Sequence, residues 1–183
     1  MKLTESEKEH LLSMAKAAVK MRLGDDDLPE SAAADIPVLK EKRGAFVTLK
    51  KKGQLRGCIG YIHALKPLGQ TIDEMARAAA FSDPRFPPVT QDELPYLSFE
   101  ISVLTPLKEI EDIEEIKVGM HGLYIVQGGR SGLLLPQVAI EYGWDRKTFL
   151  EHTCYKAGLS PQAWQDKDAR IYIFSADIFS DSE

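Results

Sequence analysis

The stretch of the chain richest in chemistry is Leu55-Arg56-Gly57-Cys58-Ile59-Gly60-Tyr61. A cysteine thiolate is both a nucleophile and a metal ligand, and a guanidinium beside a thiol favours the thiolate. On a strand, Arg56, Cys58 and Gly60 project to one face and Leu55, Gly57, Ile59 and Tyr61 to the other. Gly57 and Gly60 remove side-chain bulk on either side, which lets another backbone or a ligand approach. The competing reading makes Cys58 a small buried core residue, a common fate for cysteine. His121, between Met120 and Gly122, offers an acid–base group near neutral pH, or else is an ordinary turn residue. Glu100 lies on the polar side of a strand. If that side meets Cys58 and Arg56, the three form a charged cluster; otherwise Glu100 is solvated.

Other chemistry is scarce. Cys154 and His152 are two apart on a helix, so their side chains diverge and share no ligand. No Cys-x-x-Cys pair is present, and neither a structural zinc nor any other metal site is expected. Walker, dinucleotide-binding and zinc-protease motifs are missing, as is the cysteine triad of a radical SAM iron–sulfur cluster. The residues name no cofactor. Lys40, Lys42, Arg43, Lys50, Lys51, Lys52 and Arg56 form a basic run that could bind RNA, but no interleaved aromatics support base stacking. Lysines at a hairpin tip more simply solubilise and protect an edge strand.

Helices and strands must position these groups. Thr4 and Glu7 have capping-box spacing, and Leu11, Ala15, Ala18 and Val19 follow at helical intervals up to Gly24. Asp25-Asp26-Asp27, Pro29 and Pro37 mark a long connection, read as a solvated loop. Residues 45–49 read as a strand, Lys51-Lys52-Gly53-Gln54 as a hairpin turn and residues 55–62 as the return strand. Pro67 opens a helix that Ser82-Asp83-Pro84-Arg85-Phe86-Pro87-Pro88 must end. Thr90 and Glu93 repeat the capping-box spacing over a short turn. Phe99, Ile101 and Val103 alternate with Ser98, Glu100 and Ser102 on a strand. A short helix is expected at 112–116, a second hairpin around Gly128-Gly129, helices from Pro136 and Asp145, and a last strand at 171–174. Strands and helices do not alternate strictly, so the expected class is α+β with a mixed or antiparallel sheet.

The 183 residues suit one large domain or two small lobes, and 44% apolar with 28% charged residues argues against disorder. A net charge of −5 provides no global attraction for nucleic acid. Two unpaired cysteines and the lack of a signal-like or membrane-spanning run point to a cytoplasmic protein.

Three stretches together resemble one family: Leu55-Arg56-Gly57-Cys58-Ile59-Gly60, the segment from Ser82 to Pro88 running into Asp92-Glu93-Leu94-Pro95, and Glu100-Ile101-Ser102-Val103-Leu104-Thr105-Pro106. Met120-His121-Gly122-Leu123 and Gly132-Leu133-Leu134-Leu135-Pro136-Gln137-Val138-Ala139 add to the likeness. The chain is similar to the AMMECR-type domain, called protein A of the AmmeMemoRadiSam system in prokaryotes, over nearly its whole length. The resemblance implies a single domain over residues 1–183 with two unequal lobes around a cleft, the smaller within about 25–105. It also implies two partners, a Memo-like protein and a radical SAM enzyme, and an RNA- or protein-modifying setting without naming a reaction.

Two functional readings follow. In the first, the chain is a thiol-dependent enzyme or transfer subunit. Cys58 is its nucleophile, Arg56 its electrostatic partner, His121 the acid–base group and Glu100 an orienter. Gly57, Gly60 and Arg85 contact the substrate. In the second, it is a non-catalytic adaptor whose cleft presents Arg56 and the glycine backbone to a peptide or to the Memo-like partner.

Overall fold

The structure, a computed structural model, describes residues 2–24 and 36–181. The expected acidic loop at Asp25-Asp26-Asp27 and Pro29 lies outside the described residues. The chain forms two compact units, Met1–Leu104 with Asp177–Glu183, and Thr105–Ala176.

The first unit begins with α1 (Glu5–Arg22). The Thr4 hydroxyl accepts the Glu7 N–H at 3.3 Å, and Glu7 returns a bond to the Thr4 N–H at 2.7 Å, so two free donors of the first turn are satisfied. Its apolar stripe, Leu11, Ala15, Ala18 and Val19, is fully buried. Pro37 starts a single helical turn, α2 (Pro37–Lys40), where a connection is expected; its fixed φ suits a first helical position. Strands β1 (Ala45–Lys51) and β2 (Gln54–Tyr61) are joined by Lys52 and Gly53, both at positive φ. That is the two-residue turn whose twist matches a hairpin. Helix α3 (Leu68–Phe81) buries Leu68, Ile72, Met75, Ala76, Ala79 and Ala80. A 3₁₀ turn over Gln91–Tyr96, closed by the Thr90 and Glu93 capping box, leads into β3 (Leu97–Leu104).

The second unit carries β4 (Lys108–Ile110), β5 (Gly122–Gln127), β6 (Arg130–Leu134), α4 (Pro136–Glu141), α5 (Arg146–Lys156) and β7 (Arg170–Phe174). A 3₁₀ turn at Ile113–Glu115 takes the place of the short helix expected at 112–116. Residues 171–174 are not the last strand: β8 (Ala176–Ser180) follows and returns to the first unit.

Among the described residues two four-stranded antiparallel sheets result, ordered β2-β1-β3-β8 and β4-β7-β5-β6, which makes the class α+β. Residues 36–104 lie in the unit whose sheet β8 completes from far downstream. In that sheet Ala45, Val47, Leu49, Phe99, Ile101 and Val103 line one face and join α1 and α3 in the core. Phe46, Thr48, Lys50, Glu100 and Ser102 fall on the other face, the alternation expected of a strand. The second core gathers Leu123, Ile125, Phe149, Leu150, Cys154 and Ile171. Cys154 is fully buried, as packing predicts. Among the described residues no helix is long and apolar enough to cross a membrane.

Candidate functional site

Strand β2 is an edge of its sheet. Its register with β1 runs Ile59 opposite Val47, Cys58 opposite Thr48 and Gly57 opposite Leu49, then skips to Leu55 opposite Lys50. Arg56 is therefore the extra residue of a β-bulge, which breaks the alternation expected to put Arg56 and Cys58 on one face. Cys58 keeps its place on the polar face, in a cross-strand row with Thr48 and Glu100. Arg56 turns instead to the side of Lys51, and both reach Glu93.

Cys58 is half-buried and belongs to neither apolar core. The Thr48 hydroxyl donates to its sulfur at 3.1 Å. Burial pushes the thiol up from its ordinary value; the Thr48 bond and the Arg85 charge oppose this, and Asp83 and Glu100 add to it. Its backbone N–H points away from β1 and donates to Asp83 Oδ2 at 2.9 Å. Asp83 is buried, 4% exposed, and Arg85 clamps it with Nε at 3.0 Å, Nη2 at 2.7 Å and its own N–H at 3.1 Å. These guanidinium bonds above all hold the Asp83 carboxyl well below the usual carboxylate range, against the opposing effect of burial. Arg85 Nη2 also approaches the Cys58 carbonyl at 3.4 Å. An aspartate and an arginine thus occupy the outward backbone groups of Cys58, in the place a further strand would take.

The clearances at the two glycines are filled by the chain itself. A Cβ on Gly57 would overlap the Ala79 carbonyl oxygen of α3, and one on Gly60 would enter the Phe46 ring. Glu100 is bound to Lys50 at 2.8 Å and does not touch Arg56. His121 lies in the second unit, where its Nδ1 accepts the Lys117 N–H at 3.2 Å. Burial and then the Lys117 charge lower its pKa, so it is neutral at pH 7.

Arg56 is buried, 9% exposed. Its Nε and Nη2 donate to Glu93 Oε1 and Oε2 at 3.0 and 2.9 Å, a two-pronged pairing that suits a guanidinium fork. Glu93 also accepts Lys51 Nζ at 2.8 Å and the Thr90 N–H at 3.0 Å. Arg56 foremost, then Lys51 and Thr90, pull the Glu93 carboxyl down to about 2 against the effect of burial. Arg56 Nη1 is buried and has no hydrogen-bond partner among the described residues. Beside this cluster runs an open groove of about 570 Å³, lined among others by Lys51, Lys52, Arg56, Pro87, Glu93 and Tyr96. Lys52 sits 5.0 Å over the Tyr96 ring.

Asp83 and Glu93 escaped the residue-by-residue reading, although both lie within its motif segments. The capping-box spacing did locate Glu93, but a spacing of three reports a local bond and not a pairing across the fold. The lysines at the hairpin tip, read as solubilising, form one wall of the groove.

A family model described as AMMECR1 matches residues 12–179. A protein of Methanothermobacter thermautotrophicus is 44% identical, the alignment covering 97% of this chain and 95% of that one. A protein of Methanopyrus kandleri is also 44% identical, over 100% of this chain and 92% of its own length. The crystal structure of an uncharacterized protein from Pyrococcus horikoshii superposes with a TM-score of 0.90 at 42% identity, covering 98% of this chain and 94% of the other.

Proposed function

Because the chain belongs to the AMMECR1 family, we propose that it works as a non-catalytic binding module that holds a protein partner in the groove beside β2. One observation carries the reading: Glu93 fixes Arg56 along the wall of an open groove and leaves Nη1 buried without an acceptor. A fixed donor loses little rotamer freedom on binding, which favours recognition. The resemblance noted in the sequence supplies the partner classes, a Memo-like protein and a radical SAM enzyme. Calorimetric titration of the chain with the Memo-like protein tests this. Arg56→Ala weakens the complex about tenfold or more, since a charge-assisted bond is lost, while Cys58→Ser leaves it unchanged. Unaltered affinity in an Arg56→Ala protein that still melts cooperatively overturns the reading.

The thiol-dependent reading keeps one favourable observation, the Thr48 hydroxyl and Arg85 charge that both draw the Cys58 thiol toward ionisation. Burial outweighs them, and Arg56 is engaged elsewhere. Loss of modifying activity in a reconstituted system on Cys58→Ser, with partner affinity intact, would restore it.

A further inference from the structure

We infer that the groove takes an acidic peptide segment and seats one of its carboxylates against Arg56 and Lys51; this names the partner chemistry of the binding reading and rests on it. The acceptor positions of Glu93 are spent, with Oε1 taking Arg56 Nε and Lys51 Nζ, and Oε2 taking Arg56 Nη2 and the Thr90 N–H. Two cations share that single carboxylate, so the cluster keeps one positive charge. Lys52 adds another, and the exposed Asp92 offsets one. Arg56, nine-tenths buried, still carries an unpartnered donor, which is costly to leave unmade. A carboxylate oxygen is a small acceptor and matches the guanidinium geometry.

The rest of the groove suits peptide better than nucleic acid. Pro87 and Pro88 are exposed and rigid, a fit for the apolar flanks of an extended chain. The Tyr96 ring is already covered on one side by the Lys52 ammonium, which leaves it a poor platform for stacked bases.

The test is fluorescence anisotropy with the full chain and three labelled probes: a peptide of alternating glutamate and proline, its glutamine counterpart, and oligouridylate. The glutamate peptide binds, and the glutamine peptide binds about tenfold or more weakly. Lys51→Met, Lys52→Met and Arg56→Lys each weaken the glutamate peptide; the lysine variants alter side chains already partly in solvent and leave the melting transition in place. Equal affinity for the two peptides, tighter binding of oligouridylate, or no binding of the glutamate peptide up to millimolar concentration overturns the inference. If the peptide fails while the Memo-like complex still depends on Arg56, only the ligand class falls. Should that complex ignore Arg56, the binding reading falls, whatever the peptide does.

Discussion

Arg56 stands two positions from a cysteine, yet its charge is matched by a glutamate 37 residues away. That pairing, more than the thiol, sets the electrostatics of the groove. It also has a pH signature. The Glu93 pKa falls from about 4.5 to about 2 on folding, so the unfolded chain binds the proton more readily. The stabilisation is complete above about pH 4.5 and is lost as pH falls through about 2. Glu93→Gln should remove this dependence and, because Arg56 keeps a buried charge without its counter-charge, lower stability by about 3 kcal/mol at neutral pH. Urea midpoints measured from pH 7 down to pH 2 check it; identical slopes in both proteins would show that Glu93 gains nothing from the pair. Asp83 contributes with the same sign over a window that reaches lower, so some acid sensitivity survives in the variant.

At the scale of elements, the edge strand β2 is held by contacts that leave no room for added atoms. Helix α3 brings the Ala79 carbonyl against Gly57, so Gly57→Ala forces helix and strand apart. Overpacking of this kind costs about 1–3 kcal/mol, and the variant should melt correspondingly lower; an unchanged melting temperature would mean that the helix moves freely. Much of this architecture was legible in the sequence. The capping boxes at Thr4 and Thr90, the hairpin turn at Lys52-Gly53 and the alternation from Ser98 to Val103 all reflect local rules. What escaped is non-local. Nothing between Leu55 and Gly57 announces a bulge, because the register is decided against β1. What approaches the glycine pair is a helix carbonyl and the Phe46 ring, and no local pattern names either partner. Strand β4 has only three residues, and in β8 the apolar Ile178 and Phe179 are adjacent, so neither shows an alternation.

For the whole molecule, the chain order matters as much as the sheets. Residues 105–176 interrupt the first unit, whose sheet is completed only by β8. The returning segment also fastens α1 and β3: the Leu3 N–H donates to Asp177 at 2.8 Å, Lys16 pairs with Asp181 at 2.7 Å, and the Phe99 N–H donates to Asp181 at 2.7 Å. Deleting residues 177–183 should therefore speed hydrogen exchange at the amides of β3 and α1 while those of β5 and β7 keep their protection. Uniform loss of protection across both units would show that they unfold as one. During translation the interrupting residues leave the ribosome as one continuous run and can collapse at once. The sheet begun earlier must wait with β3 unzipped along one rim until the final strand emerges, so a nascent chain stalled before that point is the form most exposed to chaperones and proteases.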